Sequence, residues 1–127
     1  MKKTLYIILL SLIFTSCSKQ EELSSKTYTL TNPKQNTTIT LGFNTKENRF
    51  FGKIINNFFG TYNIDGKKIT FSPAGTTMMM GPQEAMEAEQ DFLKTLPNIS
   101  SYKIQDKTLT LNTSKGDKLI FTEIQNP

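Results

Sequence analysis

The chain has 127 residues and a formal net charge of +4, with one cysteine and no histidine. Its length is that of one small domain. The lack of histidine removes the usual general base and the commonest metal ligand, and a single cysteine excludes an intrachain disulfide. The basic residues are scattered along the chain, without the clustered patch that nucleic-acid binding requires.

The N-terminus has the three zones of a secretory signal peptide. Lys2 and Lys3 precede an apolar run over residues 5–14, and small residues precede Cys17. The run is too short for a comfortable membrane span, which needs about twenty residues. Residues 14–17 resemble a bacterial lipobox, with Phe where Leu is usual. We predict a signal peptide over 1–16 and lipid on Cys17; plain secretion and a retained anchor are the alternatives.

The residues after Cys17 are polar and charged, which predicts a lipidated, flexible tether over 17–26 and a folded domain over 27–124. One acyl chain gives only marginal membrane binding, so we expect Cys17 to carry several, palmitate among them. Without Lys2 and Lys3, 13 basic side chains remain against 11 acidic ones, a net charge of +2. The expected location is the cell envelope, at the outer membrane facing the periplasm if the cell has two membranes.

Alternation of apolar and polar residues predicts strands on both sides of one helix. The alternating segments are 27–31, 39–43, 49–55, 58–64, 67–71, 102–104, 109–111 and 119–122. Asp65-Gly66 lies between two of them, which predicts a hairpin with a two-residue type I′ turn.

Pro82 and Pro97 bound the predicted helix, over residues 82–96. Apolar residues on one face are predicted to pack on the sheet: Ala85, Ala88, Phe92 and Leu96. A group of acidic residues is predicted to form a solvated face rather than a cation site: Glu84, Glu87, Glu89 and Asp91. The order of elements predicts an α+β protein, a single small domain with a strongly curved or nearly closed antiparallel sheet and one main helix packed on it.

Two segments carry a family resemblance. Six residues carry the pattern: Gly52, Asn56, Phe58, Gly60, Thr76 and Met78. They resemble the META domain family, that of HslJ-like heat-shock lipoproteins, whose pattern is a glycine, Cys-Asn-x-Phe/Tyr-x-Gly, and Thr-x-Met-x-Cys before a helix. The resemblance covers roughly residues 27–124. It implies a compact α+β fold, a loose link to envelope stress and to resistance to hydrophobic compounds, and no enzymatic activity.

Ile55 and Met80 occupy the two positions where that pattern has cysteine. If the family cysteines meet, this pair is expected to pack together in the core, with an apolar contact in place of a covalent link. A function based on a disulfide or a thiol is excluded for the mature domain. The matching motif residues, with Ile55 and Met80, are interpreted as structural.

The candidate binding residues are apolar. Residues 78–80 are three consecutive methionines, which favours either core filling under the helix or the lining of a site for an apolar ligand. In the second case the predicted lining is Met78, Met80, Phe92 and Leu96. The outward-facing members of Phe50-Phe51 and Phe58-Phe59 are either covered or form an exposed patch.

Two functional hypotheses follow. The first is a non-catalytic envelope lipoprotein that binds a protein partner, in envelope assembly or stress. The second is a carrier or sensor of a small apolar molecule between sheet and helix. Neither requires a cofactor, a metal or nucleic acid, and the chain is expected to be a monomer attached to the membrane through Cys17.

Overall fold

The structure is a computed structural model that describes residues 23–31 and 37–124. The predicted signal peptide, Cys17 and most of the predicted tether lie outside these residues. The elements in chain order are β1 (Thr27–Leu30), β2 (Thr40–Asn44), β3 (Arg49–Lys53), β4 (Asn57–Asp65), β5 (Lys68–Phe71), β6 (Gly75–Thr76), α1 (Gln83–Thr95), a 3₁₀ turn (Leu96–Asn98), β7 (Ile99–Gln105), β8 (Thr108–Thr113) and β9 (Lys118–Glu123).

All the strand pairs are antiparallel, and eight of the strands close into a barrel. β1 pairs with both β2 and β9, and β3 pairs with β4. The ring closes through β5 and β7, which share one pair of residues, Lys68 and Ser101. β6 is the remaining strand and pairs with the first part of β4. The predicted antiparallel sheet with one helix is confirmed, and its curvature reaches closure.

Aromatic rings fill much of the barrel interior. Successive ring contacts join Tyr28, Phe43, Phe71, Phe50, Phe58, Phe92 and Phe121, with centroid distances between 5.2 and 6.3 Å. The alternation seen in the sequence places the strand members of this group inside, because successive strand residues point to opposite faces, and Phe92 enters from α1.

α1 lies at the end of the barrel that carries the β3–β4 and β8–β9 connections, here called the helix end. Phe92 anchors the helix between Phe58 and Phe121. The helix is one residue shorter at each end than predicted. Pro82 is its N-cap, and Leu96 begins the 3₁₀ turn, in which Pro97 is tolerated because the first N–H groups of a helix have no internal partner.

The opposite end of the barrel carries the β2–β3, β4–β5 and β7–β8 turns. Leu23 is 9% exposed, belongs to the core, and shares a shallow depression there with Tyr62 and Tyr102. We call this the Leu23 end. Leu23 precedes the predicted domain start, Thr27, by four residues, and its apolar side chain closes the interior beneath the turns.

The hairpin predicted at Asp65-Gly66 is present, with its turn shifted by one residue. Asp65 pairs with Lys68, so Gly66 and Lys67 are the two turn residues. Gly66 has φ +64° whereas Lys67 has no positive φ, which is the arrangement of a type II′ turn rather than the predicted type I′.

Candidate binding surface

Glu89 is buried, with 4% of its surface exposed. Its Oε1 accepts hydrogen bonds from the backbone N–H groups of Ile55 (3.1 Å) and Asn56 (2.7 Å), and its Oε2 accepts one from Asn56 Nδ2 (2.9 Å). The predicted solvated position is wrong for Glu89. The residue adjoins Ala88 on the packed face of α1, and its carboxylate satisfies N–H groups of the tight turn after β3.

Asn56 connects three segments of the chain. Its Oδ1 accepts hydrogen bonds from the Met79 backbone N–H and from Thr77 Oγ1 (2.8 Å). Its Nδ2 donates to Glu89 and to the Met79 carbonyl (3.2 Å). Among the residues described, no buried side-chain polar atom lacks a partner. The amide is therefore fully used in joining the β3–β4 turn to α1 and to residues 77–80.

Residues 78–80, here called the methionine arm, project from the helix end of the barrel. Met78 is 91% exposed and Met80 is 90% exposed, while Met79 is 52% exposed. Asn56 holds the Met79 backbone at both its N–H and its carbonyl. The core-filling interpretation is wrong for these residues, because the segment runs along the rim of the barrel, outside its interior.

Two exposed aromatic side chains lie on the barrel wall beside the arm. Phe51 and Phe59 are 45% and 47% exposed and are directly opposite each other on β3 and β4. A Cβ on Gly42 would be 2.5 Å from the Phe51 ring, and one on Gly75 would be 2.7 Å from the Phe59 ring. Each ring therefore lies over a glycine of the next strand. β6 leads from this wall towards the arm, and the two exposed rings and the arm are together called the arm surface.

A groove of about 250 Å³ lies between α1 and the strands β1 and β9. It is lined by Leu30, Ile39, Ala88, Asp91, Phe92, Thr95, Lys118, Leu119 and Ile120. Of the four residues predicted to line a ligand site, the groove contains only Phe92. Leu96 is fully buried and the arm points to solvent, so Met78, Met80, Phe92 and Leu96 do not form one cavity.

Burial, with Tyr102 nearby, raises the pKa of Tyr62 above its usual range. Within residues 23–31 and 37–124, no three acidic, cysteine or histidine side chains come close enough to hold a metal ion. No helix in the same ranges is long and apolar enough to cross a membrane.

Comparison with known families gives one match, to the META domain, over residues 21–126. The chain belongs to the META domain family. No curated protein matches it. The match begins upstream of the predicted domain start and includes Leu23, in agreement with the burial of that side chain.

Solved structures share the fold at low sequence identity. A Burkholderia xenovorans protein solved by NMR is similar with a TM-score of 0.67 and 18% identity, over 89% of this chain and 100% of the other. A second NMR structure has a TM-score of 0.60 and 18% identity, over 79% and 90%. A DUF4847 family protein from Bacteroides vulgatus ATCC 8482 has a TM-score of 0.53 and 19% identity, over 70% and 61%.

The META motif residues lie on β3, β4 and β6, on the β3–β4 turn and in the arm. A Cβ on Gly52 would be 2.1 Å from the Thr40 carbonyl oxygen, so only glycine fits there. A Cβ on Gly60 would be 2.6 Å from the Phe50 ring. Phe58 is in the core and pairs with Thr76 across β4 and β6.

The predicted core pair of Ile55 and Met80 is wrong, since the Met80 side chain is 90% exposed. Ile55 is half-buried and lies beside the next residue of the arm segment: a Cβ on Gly81 would be 3.0 Å from Ile55. The two segments therefore run side by side in this META domain. The hydrogen bonds of Asn56, rather than an apolar contact of Met80, hold them together.

Three residues that the fold uses were missed in the sequence: Thr77 and Glu89 at the site, and Leu23 at the opposite end of the barrel. Glu89 had a usable signal, since it flanks Ala88 on the apolar face of the predicted helix. Thr77 and Leu23 had none, because a threonine in a loop and a leucine in a polar stretch are common in exposed segments.

Proposed function

We propose that this META domain is an envelope lipoprotein, anchored by lipid on Cys17, that binds a protein partner through the arm surface without catalysing a reaction. The observation that carries the proposal is the arm itself. Met78 and Met80 are about 90% exposed on a backbone that Asn56 and Glu89 hold in place. The META family includes HslJ-like heat-shock lipoproteins, which favours a role in envelope stress or assembly.

The chemistry of the arm surface suits a protein partner. Methionine side chains adapt to irregular apolar surfaces, and both methionine and aromatic residues are enriched at interface cores. Arg49 and Lys53 flank Phe51 along β3, so basic groups border the exposed rings. Because the arm backbone is already fixed, binding loses little backbone entropy there.

The anchor is tested by the intact mass of the protein taken from the membranes of its own host. We expect a mass that corresponds to residues 17–127 with acyl chains, and loss of the acylated mass in a Cys17→Ser variant. An unmodified mass that still contains residues 1–16 would overturn the lipoprotein assignment.

The arm surface is tested by crosslinking in intact cells. A photoreactive amino acid at Phe59 should give one discrete protein adduct, which Met78→Ser with Met80→Ser abolishes. Ile64→Ser with Ile124→Ser is the matched control, since both isoleucines are 37% exposed elsewhere on the barrel. If both double variants keep the adduct, or both lose it, the arm is not the binding surface.

The groove beneath α1 favours a second candidate, a carrier of a small apolar molecule. Its volume of about 250 Å³ is slightly below the usual range of ligand pockets, about 300–1,000 Å³. Native mass spectrometry of gently purified protein would show a bound apolar molecule, lost on Ile120→Asp and kept on Ile124→Asp. An apo mass for the unmodified chain rules this candidate out.

A further inference from the structure

The structure limits how far the barrel can lie from a membrane, if the lipid that we propose for Cys17 is present. Leu23 is packed into the Leu23 end of the barrel. Five residues separate it from Cys17. An extended chain spans at most about 3.6 Å per residue, so Leu23 lies within about 20 Å of the lipidated residue.

The Leu23 end has an excess of exposed basic groups. The β2–β3, β4–β5 and β7–β8 turns and their flanking residues contain five basic and three acidic side chains: Lys46, Arg49, Lys67, Lys68 and Lys107 against Glu47, Asp65 and Asp106. The nearby pair of Lys26 and Glu123 is bonded at 3.0 Å and cancels. Over the described residues, the net charge of this end is therefore +2, and the adjoining tether residues Lys19, Glu21 and Glu22 bring it to +1.

The helix end has the opposite balance. Its described charged groups, on α1, the adjoining connections and the strand ends, are four basic and five acidic: Lys53, Lys94, Lys115 and Lys118 against Glu84, Glu87, Glu89, Asp91 and Asp117. Over the described residues this end has a net charge of −1, since Lys34 of the β1–β2 connection lies outside them, and it also carries the methionine arm. The two ends therefore differ in charge and in apolar exposure.

We infer that the Leu23 end docks on anionic lipid headgroups and that the arm surface is thereby directed away from the membrane. The inference rests on the proposed lipid anchor. Attraction between basic side chains and an anionic leaflet is short-ranged, with a screening length of about 8 Å at physiological salt. The short tether makes this short-range attraction effective, because it keeps the basic turns near the membrane surface at a high effective concentration.

The barrel wall separates the two functions. β4 runs from Asn57 at the helix end to Asp65 at the Leu23 end, nine residues in all. At about 3.3 Å per residue, its length is close to 30 Å. A docked barrel therefore presents residues 78–80 to a partner in the aqueous compartment.

The test uses the full lipidated chain in vesicles, with a fluorophore on Gln105→Cys or on Ser114→Cys. Both positions are exposed, the first at the Leu23 end and the second in the β8–β9 turn, and lipid blocks the native thiol of Cys17. Quenching by nitroxide-headgroup lipid is measured in phosphatidylethanolamine–phosphatidylglycerol vesicles and in phosphatidylcholine vesicles. We expect at least threefold stronger quenching at position 105 than at 114, in the anionic vesicles only.

The charge dependence is tested with two triple variants that remove the same net charge. Lys46→Gln, Lys67→Gln and Lys107→Gln should reduce the quenching at position 105 by more than half. The control variant, Lys53→Gln, Lys94→Gln and Lys115→Gln, should leave it unchanged. Equal quenching at both positions, or equal effects of both variants on a lipidated chain, would overturn the inference alone. A chain without lipid would instead overturn the proposed anchor and the inference with it.

Discussion

Asn56 and Glu89 act as one unit, because each satisfies polar groups that the other leaves open. Glu89 accepts three hydrogen bonds from the β3–β4 turn, two from backbone N–H groups and one from Asn56. Asn56 in turn fixes the backbone of Met79. A buried carboxylate on α1 therefore determines where an exposed apolar arm begins, and stability and the proposed binding are coupled at this point.

Replacing Glu89 tests that coupling. Glu89→Ala leaves two backbone N–H groups and the Asn56 amide without their acceptor in a buried site, at a cost of about 1–3 kcal/mol for an unsatisfied group. We expect a loss of about 3 kcal/mol in the free energy of unfolding, measured in urea, and weaker crosslinking at Phe59. Glu87→Ala, on the exposed face of α1, should change the free energy of unfolding by less than about 0.5 kcal/mol. Equal losses would show that the network does not hold α1.

Tyr62 predicts how stability depends on alkaline pH. Burial raises its pKa in the folded state, so between the unfolded and folded pKa values the folded protein binds the proton more tightly. Stability from this group is complete below about pH 10, the ordinary pKa of tyrosine, and is lost as pH rises through the folded value. The free energy of unfolding of the Tyr62→Phe variant, measured by urea titration, should therefore fall less steeply between pH 9 and 11. An unchanged slope would assign the alkaline loss to other groups.

The strands and hairpins show which elements a local pattern can specify. Alternation predicts most of the strands, because the barrel has one wet and one dry face. Turn geometry is less accessible. Asp65 was expected in the turn, yet it pairs with Lys68. The β7–β8 turn has positive φ at two residues other than glycine, Asp106 (50°) and Lys107 (67°). No glycine marks that turn in the sequence.

This backbone predicts a stabilising substitution. A left-handed conformation costs a residue with a Cβ about 1–2 kcal/mol, whereas glycine costs about 0.5–1 kcal/mol in backbone entropy. Lys107→Gly should therefore raise the free energy of unfolding by about 0.5 kcal/mol. Lys67→Gly is the matched control, since Lys67 is also the second residue of a two-residue turn but has no positive φ; it should destabilise. Chemical denaturation of both variants measures the change in the free energy of unfolding. Changes of the same sign in the two variants would contradict this account of the turn.

At the scale of the whole molecule, some features follow from the pattern of residues along the sequence, and others depend on closure of the barrel. The curved antiparallel sheet, the helix and the family follow from alternation, Pro82 and the motif residues. Closure does not, because it depends on β5 and β7 meeting at one pair of residues distant in sequence. The exposure of Met80 and the burial of Glu89 follow from which way the rim segments face once the ring closes. Their hydrophobicity gave the opposite expectation for both.

Leu23 tests where the folded unit begins. Its side chain is 9% exposed and closes the barrel end beside Tyr62. Leu23→Ala should cost about 2 kcal/mol in the free energy of unfolding, at the low end for buried leucine because the site is peripheral. That loss lowers the melting temperature of a domain of this size by about 8–16 °C. Ile124→Ala is the control; it lies near the same end, bonded to Thr27 through its backbone, and is 37% exposed.

The result also decides the reach of the proposed anchor. If Leu23→Ala destabilises the chain and Ile124→Ala changes it by less than about 0.5 kcal/mol, the packed unit begins within six residues of Cys17. The basic turns are then held near the membrane. If Leu23→Ala has no effect, the packed unit begins at β1, ten residues from Cys17. The tether could then span about 35 Å, a reach at which the barrel could rotate freely and either end could approach the headgroups.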